Sequence, residues 1–514
     1  MKKNIKILII VFILFIVSMA VHYYPVYKKG YSFGIYANNL ILARNFAETG
    51  EFKIESSENI ILSSDLVKDK GIEYNPGNEL TYMIYGYVFK YFGFNENMPL
   101  YFSIILWALS GTILFFLIKK LFNLKVAVIF GVVDIFLPVL LQGVLLAGFY
   151  EWAILFFSIG LWFFFANKKV TLNLIFAGFF LGLSILCRNA FAVSALVLVF
   201  FEFYRHKNIK QLLYLILPVI LVAGLFFGNN NDYLAKQDLN FSNYGHLYPD
   251  PYTFHYEKDE YLQSIAGSSN SLFSEYLLKY GQKVSLQNQV IMYLDSIRFY
   301  PKEFIKLIVS GGPLIVLLMF LGLLYLFRDN KKMFKLFIFW IAVWYVILVI
   351  LKTNNWDHFI ELRFLIVLLV ALGVYYLFDF IFKLSIKNNF KYVILILISG
   401  CVILHFIDCD KWMLHEEYNT SNMEAVTNFV QIIKKQNLTN QDVIALDYHP
   451  GVAFALNYYT NKNFVYFHPE TIKKLLAENK LQFAFEKFGV THIIGFDDNL
   501  ISQVQLKSNV KVIQ

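Results

Sequence analysis

Charge is scarce in this 514-residue chain. Asp, Glu, Lys and Arg together make up 16% of it, whereas an ordinary globular domain carries about 25%. Cysteine is scarcer still: Cys187, Cys401 and Cys409 are too few, and odd in number, for a disulfide framework. Their spacing does not match a zinc site either. The sequence shows no internal repeat of the kind that many secondary transporters carry. The low charge and high apolar content exclude a disordered chain, a collagen-like repeat and a coiled coil. What the chain does have is apolar surface, with 58% hydrophobic and 18% aromatic residues. That is more than one soluble core can bury, so the partner it calls for is lipid.

Eleven apolar stretches approach the length of a membrane-spanning helix, about 20 residues. They are 7–24, 99–118, 126–147, 152–166, 171–187, 190–204, 211–228, 305–327, 336–351, 364–382 and 392–407. The first follows Lys2, Lys3 and Lys6 and precedes Ser18-Met19-Ala20 as a signal peptide would. Its length and the spans after it favour a retained helix. Alternate connections are short and basic: Lys119, Lys120 and Lys125; Lys168 and Lys169; Arg205, Lys207 and Lys210; Arg328, Lys331, Lys332 and Lys335; Lys383, Lys387 and Lys391. With the N-terminal lysines they hold 18 basic residues against one acid, Asp329. The positive-inside bias therefore places them in the cytoplasm, with the N-terminus inside and the C-terminus outside. The net charge of +8 is then a mark of topology, and it gives no support to a nucleic-acid partner.

Two long loops, 25–98 and 229–304, and a C-terminal region, 408–514, fall on the outer side. In that region 442–446, 464–467, 491–496 and 510–513 read as short buried strands, and 422–436, 451–459 and 470–488 as helices between them. The alternation predicts a small α/β domain with a largely parallel sheet. The fold expected is thus a multi-pass helical membrane protein of the cell membrane. Residues 1–407 form its membrane domain and 408–514 an extracytoplasmic α/β domain.

Functional candidates in such a protein are polar groups at membrane depth or at the outer mouth. Glu151 stands in Gly148-Phe149-Tyr150-Glu151-Trp152, a very short outer connection, and either faces a half-desolvated pocket or starts the next helix. Arg188, in Cys187-Arg188-Asn189, stands at a similar outer turn; its guanidinium suits a phosphate or lipid headgroups. The connection before the tenth span places Asp357, His358, Glu361 and Arg363 within seven residues. Asp134 is expected near the middle of the third span, where an acid must be paired or protonated. In the first outer loop, 82–93 is an aromatic amphipathic run suited to the membrane interface. The second loop is rich in Tyr, suited to carbohydrate or to interfacial anchoring.

Taken in order, these parts resemble the integral-membrane C-type glycosyltransferases, in the branch with protein O-mannosyltransferases and aminoarabinose transferases. The resemblance rests on Ala43-Arg44-Asn45 and Thr49-Gly50-Glu51-Phe52 in a large first outer loop. Pro76-Gly77 follows, ahead of an amphipathic helix closed by Phe92-Gly93. Further on come Pro138 about a dozen residues before Glu151, then Leu181-Gly182-Leu183-Ser184 leading to Cys187-Arg188-Asn189, and finally Glu361-Leu362-Arg363. Each motif is loose, and their order is more specific than any one of them. The family's acid just before a Tyr at the start of the first loop is absent: the segment reads Lys29-Gly30-Tyr31-Ser32-Phe33-Gly34-Ile35-Tyr36, keeping Tyr36 without its partner. Either another acid (Glu48, Glu51, Asp65 or Glu79) supplies the role, or the chemistry differs, or the chain binds without reacting.

The resemblance implies transfer of a sugar from a polyprenyl-phosphate donor to a glycan, lipid or protein acceptor on the outer face, with inversion. The catalytic candidates are Glu151, Asp357, Glu48 and Glu79, and the binding candidates Arg188, Arg363, Glu361, His358 and Tyr36. Arg188 and Arg363 would meet the charge growing on the leaving phosphate. No required cofactor is inferred, and a divalent-metal requirement is left open. The rival expectations are a non-catalytic binder of lipid-linked sugar and a transporter or polymerase of lipid-linked glycans.

Overall fold

A computed structural model describes residues 2–29, 37–50, 60–61, 79–137, 148, 150–166, 170–206, 209–227, 297–298, 301, 312–351, 360–383, 400, 420–439, 441–446, 450–466, 476–477, 481–496, 501–502 and 510–513. Ten of the eleven apolar stretches contain a helix: α1 (Lys2–Lys29), α4 (Met98–Leu121), α5 (Leu124–Phe136), α6 (Glu151–Phe164), α7 (Val170–Cys187), α8 (Phe191–His206), α9 (Ile209–Phe227), α10 (Gly312–Asp329), α11 (Lys331–Leu351) and α12 (Arg363–Lys383). The eleventh, 392–407, lies outside the described residues apart from Gly400. Asn4–Tyr24, Met98–Leu121, Lys331–Val349 and Ile360–Lys383 are long and apolar enough to cross a bilayer, and 151–164, 171–187, 191–204 and 209–224 are shorter apolar helices.

Local chemistry sets where these helices begin. The Asn123 side chain accepts the Val126 N–H at 3.0 Å and caps α5. Pro99 stands in the first turn of α4, where its missing N–H leaves no intrahelical bond unmade. Packing then follows from small residues. A Cβ on Gly322 would lie 2.0 Å from the Leu369 carbonyl oxygen, and one on Gly373 would lie 1.9 Å from that of Leu318. α10 and α12 therefore meet backbone to backbone, as helices do in lipid, where close van der Waals contact replaces the hydrophobic drive. α7 lies between α6 and α9, while α4 touches α1, α5 and α6.

Two helices between α1 and α4, α2 (Ala37–Thr49) and α3 (Glu79–Phe92), pack on each other. α3 contains the amphipathic run expected at 82–93. Tyr82, Tyr85 and Phe89 are buried on one face, and Tyr87, Tyr91 and Phe92 are exposed on the other.

All four strands expected in the C-terminal region are present as β2 (Val443–Leu446), β3 (Asn463–Tyr466), β4 (His492–Ile494) and β5 (Lys511–Val512). Helix α13 (Thr420–Lys435) precedes them in sequence, and α14 (Pro450–Thr460) and α15 (Leu481–Phe488) lie among them. Every residue of β2 is buried, the pattern of a central strand covered on both faces. The sheet has a fifth strand that the sequence pattern did not suggest. β1 (Ile60–Ile61) comes from the segment between α2 and α3 and pairs in parallel with β3, Ile60 beside Phe464 and Ile61 beside Val465. The order is β1-β3-β2-β4-β5, with every pair parallel. The sheet is therefore not built from 408–514 alone.

Candidate functional site

Glu151 is the first residue of α6 and is 1% exposed. Gly148, three residues earlier, has φ +87°, a conformation that an L side chain rarely adopts. The turn it makes aims the Gly148 N–H at Glu151 Oε1, 2.7 Å away, while the Tyr150 N–H reaches Oε2 at 3.2 Å. Tyr85 of α3 donates its hydroxyl to the same Oε1 in a short hydrogen bond. Burial first, and then the Glu151 carboxylate, push the Tyr85 phenol well above its ordinary value, so it remains a donor. Three donors thus converge on the Glu151 carboxyl group at the N-terminal end of α6.

Arg188 follows the last residue of α7, its own N–H bonded to the Ser184 carbonyl at 2.9 Å. Its guanidinium donates to the Tyr150 hydroxyl at 3.1 Å, lies 4.9 Å from the centre of that ring, and stands 3.9 Å from Glu361 Oε1. At 3.9 Å the carboxylate acts as a neighbouring charge and makes no hydrogen bond there. Thr81 of α3 donates to the Cys187 carbonyl at 3.2 Å, tying the start of α3 to the end of α7. Glu151, Tyr85, Tyr150, Arg188 and Glu361 thus form one buried cluster, built from α3, the 148–151 turn, the end of α7 and the short turn before α12.

Arg363 lies two residues beyond Glu361 but turns into the bundle. It grips Asp134 of α5 with Nε–Oδ1 at 2.8 Å and Nη2–Oδ2 at 2.6 Å, reaches Ser110 Oγ at 2.9 Å, and stacks 4.1 Å from the Trp107 ring. The side chain is 3% exposed. Asp134, flagged as an acid needing a partner, has found one in Arg363.

Glu48 is exposed near the end of α2. Leu40 of the same helix lies against Gly148, so Glu48, eight residues on, is about 12 Å further along the helix. Glu79 opens α3, two residues before Thr81, and so belongs to the end of α3 that Thr81 ties to α7; its side chain lies outside the described residues. Tyr36, Asp357 and His358 also lie outside them. Sequence reasoning missed Tyr85, Tyr150, Thr81, Trp107 and Ser110. Of these only Tyr150 had a local signal, its place beside Glu151 in a very short turn. Among the described residues, no group of three or more His, Cys, Asp and Glu side chains is arranged to hold a metal ion.

No family model matches the sequence, and no curated protein does. Solved structures do. The chain is similar to the oligosaccharyltransferase AglB of Archaeoglobus fulgidus in complex with an inhibitory peptide and a dolichol-phosphate, with a TM-score of 0.53 and 11% identity, covering 96% of this chain and 69% of that one. An Archaeoglobus fulgidus oligosaccharyltransferase in complex with zinc and sulfate gives a TM-score of 0.52 at 10% identity, covering 94% of this chain and 67% of that one. ArnT of Cupriavidus metallidurans bound to undecaprenyl phosphate gives 0.52 at 12% identity, covering 97% and 89%. At such identities the likeness speaks to fold alone, and the fold is one this chain shares with these structures.

Proposed function

We propose that this chain is a glycosyltransferase of the cell membrane that moves a sugar from a polyprenyl-phosphate carrier to an envelope acceptor on the outer face. The observation that carries the reading is the buried cluster of Arg188, Tyr150, Glu151, Tyr85 and Glu361, at the ends of apolar helices and completed by the aromatic helix α3. The neighbours solved with dolichol-phosphate and undecaprenyl phosphate share the fold and support the same ligand class.

In this reading the bond from the anomeric carbon to the phosphate oxygen breaks as the acceptor oxygen attacks, and negative charge grows on the departing phosphate. Arg188 receives that charge, its fork oriented by the Tyr150 ring and hydroxyl. Glu151 organises the site: it accepts from Tyr85 and from the Gly148 and Tyr150 N–H groups, and so fixes Tyr85 and the turn before α6. The acceptor's proton goes to another carboxylate, and we assign this to Glu79, at the start of the helix that Thr81 ties to Cys187, or to Asp357, four residues before Glu361. Arg363 braces the turn carrying Glu361. Direct displacement with inversion is what the resemblance implies.

Purified protein given radiolabelled polyprenyl-phosphate sugars and envelope extract tests this. Wild type is expected to transfer label, and Arg188→Ala to lose about 10²–10³ in kcat, the cost of removing a donor aimed at developing charge. Wild type that binds donor but labels no acceptor pool would replace this reading with that of a binding protein. That alternative is favoured by the missing acid before Tyr36.

A further inference from the structure

One buried contact outside this cluster joins distant parts of the chain. Arg44 of α2, 1% exposed, donates from Nη1 to the carbonyls of Asn457 at 2.9 Å and Tyr458 at 3.2 Å, and from Nη2 to Asn457 Oδ1 at 3.1 Å. All three acceptors belong to α14 in the C-terminal domain. The same helix reaches the connection after α3. The Tyr458 hydroxyl donates to the Glu96 carbonyl at 3.1 Å, and its ring meets Phe94 edge to face at 5.6 Å. Lys434 of α13 pairs with the Glu96 carboxylate at 2.8 Å. α14 therefore grips both loop helices, α2 directly and α3 through its trailing turn.

The other end of α2 leads to the site. Leu40, one helical turn before Arg44, packs so closely on the Gly148 turn that a Cβ there would stand 3.0 Å from Leu40 Cγ. Gly148 in turn supplies the 2.7 Å hydrogen bond to Glu151. From α14 to Glu151 the links are Arg44, Leu40 and Gly148. An arginine fits the first because its planar fork meets three fixed acceptors at once, which a lysine head does not.

We propose that Arg44 is a positioning residue for the candidate site. By fastening α2 to the C-terminal domain it holds Leu40 on the Gly148 turn, and so sets Glu151 and Tyr150 beneath Arg188. Its kinetic readout rests on the transfer reading above; its structural readout does not.

The test uses the full chain in lipid nanodiscs. Hydrogen exchange is followed in peptides covering 148–152, and sugar transfer is measured in parallel. In Arg44→Ala, exchange at 148–152 is expected to rise about tenfold or more while α10 and α12 stay as in wild type. Transfer kcat is expected to fall about 10- to 100-fold, as a small misplacement does, with donor KM within about twofold. Arg44→Lys is expected to fall between the two. Asn457→Ala, which spares both carbonyl acceptors, is expected to give a smaller change of the same sign, and it carries the test if Arg44→Ala does not fold. The double variant is expected to be no worse than Arg44→Ala, because the two residues share one contact. Wild-type exchange at 148–152 in Arg44→Ala overturns the proposal, as does equal acceleration throughout the bundle. If wild type transfers nothing but Arg44→Ala still loosens 148–152 alone, the transfer reading fails and the positioning role stands.

Discussion

Two arginines that look alike in the sequence, each near an outer turn, have different surroundings. Arg363 is held in a two-pronged pair with Asp134 inside the bundle, where separating the partners would leave a buried charge uncompensated. Arg188 is cradled by Tyr150 and faces Glu361 at longer range. Tyr85 belongs with Glu151 in the same sense. Tyr85→Phe is expected to lower stability by about 1.5–3 kcal/mol, the usual worth of a hydrogen bond to a charged group. A denaturation midpoint equal to that of wild type would show that the bond contributes nothing. Glu151 and Arg188 were legible because short outer turns cannot carry a charge far into water. Tyr85, Ser110 and Trp107 were not, because each is one more aromatic or hydroxyl in a run and gains its role from a partner remote in sequence.

Titration also acts at this scale, in the C-terminal sheet. Burial raises the Asp442 carboxyl, but hydrogen bonds from Thr439 and Thr491, with His492 nearby, outweigh it and bring it below the ordinary value. Burial lowers His492, Asp442 opposes this, and Lys511 adds to the lowering. Both groups bind protons less readily in the folded domain than in the unfolded chain, so stability rises with pH. His492's contribution is whole above its unfolded value of about 6.5 and shrinks as pH falls below it; Asp442's is lost at lower pH, through its own folded value. The thermal midpoint of the domain is therefore expected to fall from pH 7.5 to pH 5, less steeply in His492→Gln. A flat profile in wild type would contradict this.

Among the elements, the helices were legible because apolar length in a low-charge chain leaves few alternatives, and the C-terminal strands because short buried runs recur between helical patterns. β1 was not legible: two isoleucines within a long loop make no pattern until β3 lies beside them. The meeting of α10 and α12 was equally hidden, since Gly322 and Gly373 are unremarkable until each faces the other helix's backbone. Gly373→Val is expected to force the pair apart and cost about 3 kcal/mol or more. Adding Gly322→Val is expected to cost less than it does alone, because the gap is already open. Strict additivity in detergent unfolding experiments would mean that the two glycines do not share one contact.

For the molecule as a whole, the sequence conveys a two-part plan of apolar helices and an α/β domain, and it gathers its basic residues in alternate short connections. What it does not convey is how the parts are joined. Arg44 reads as a member of a loose motif, and nothing near it points to Asn457, 413 residues away. That separation has a consequence in time. At ribosomal rates of about 5–20 residues per second, α2 waits roughly 20–80 s between its own synthesis and that of α14. Throughout that interval its guanidinium has no seat and β1 has no neighbour. In the positioning role proposed for Arg44, the Glu151 turn settles only after α14 has been made, long after its own residues have left the ribosome.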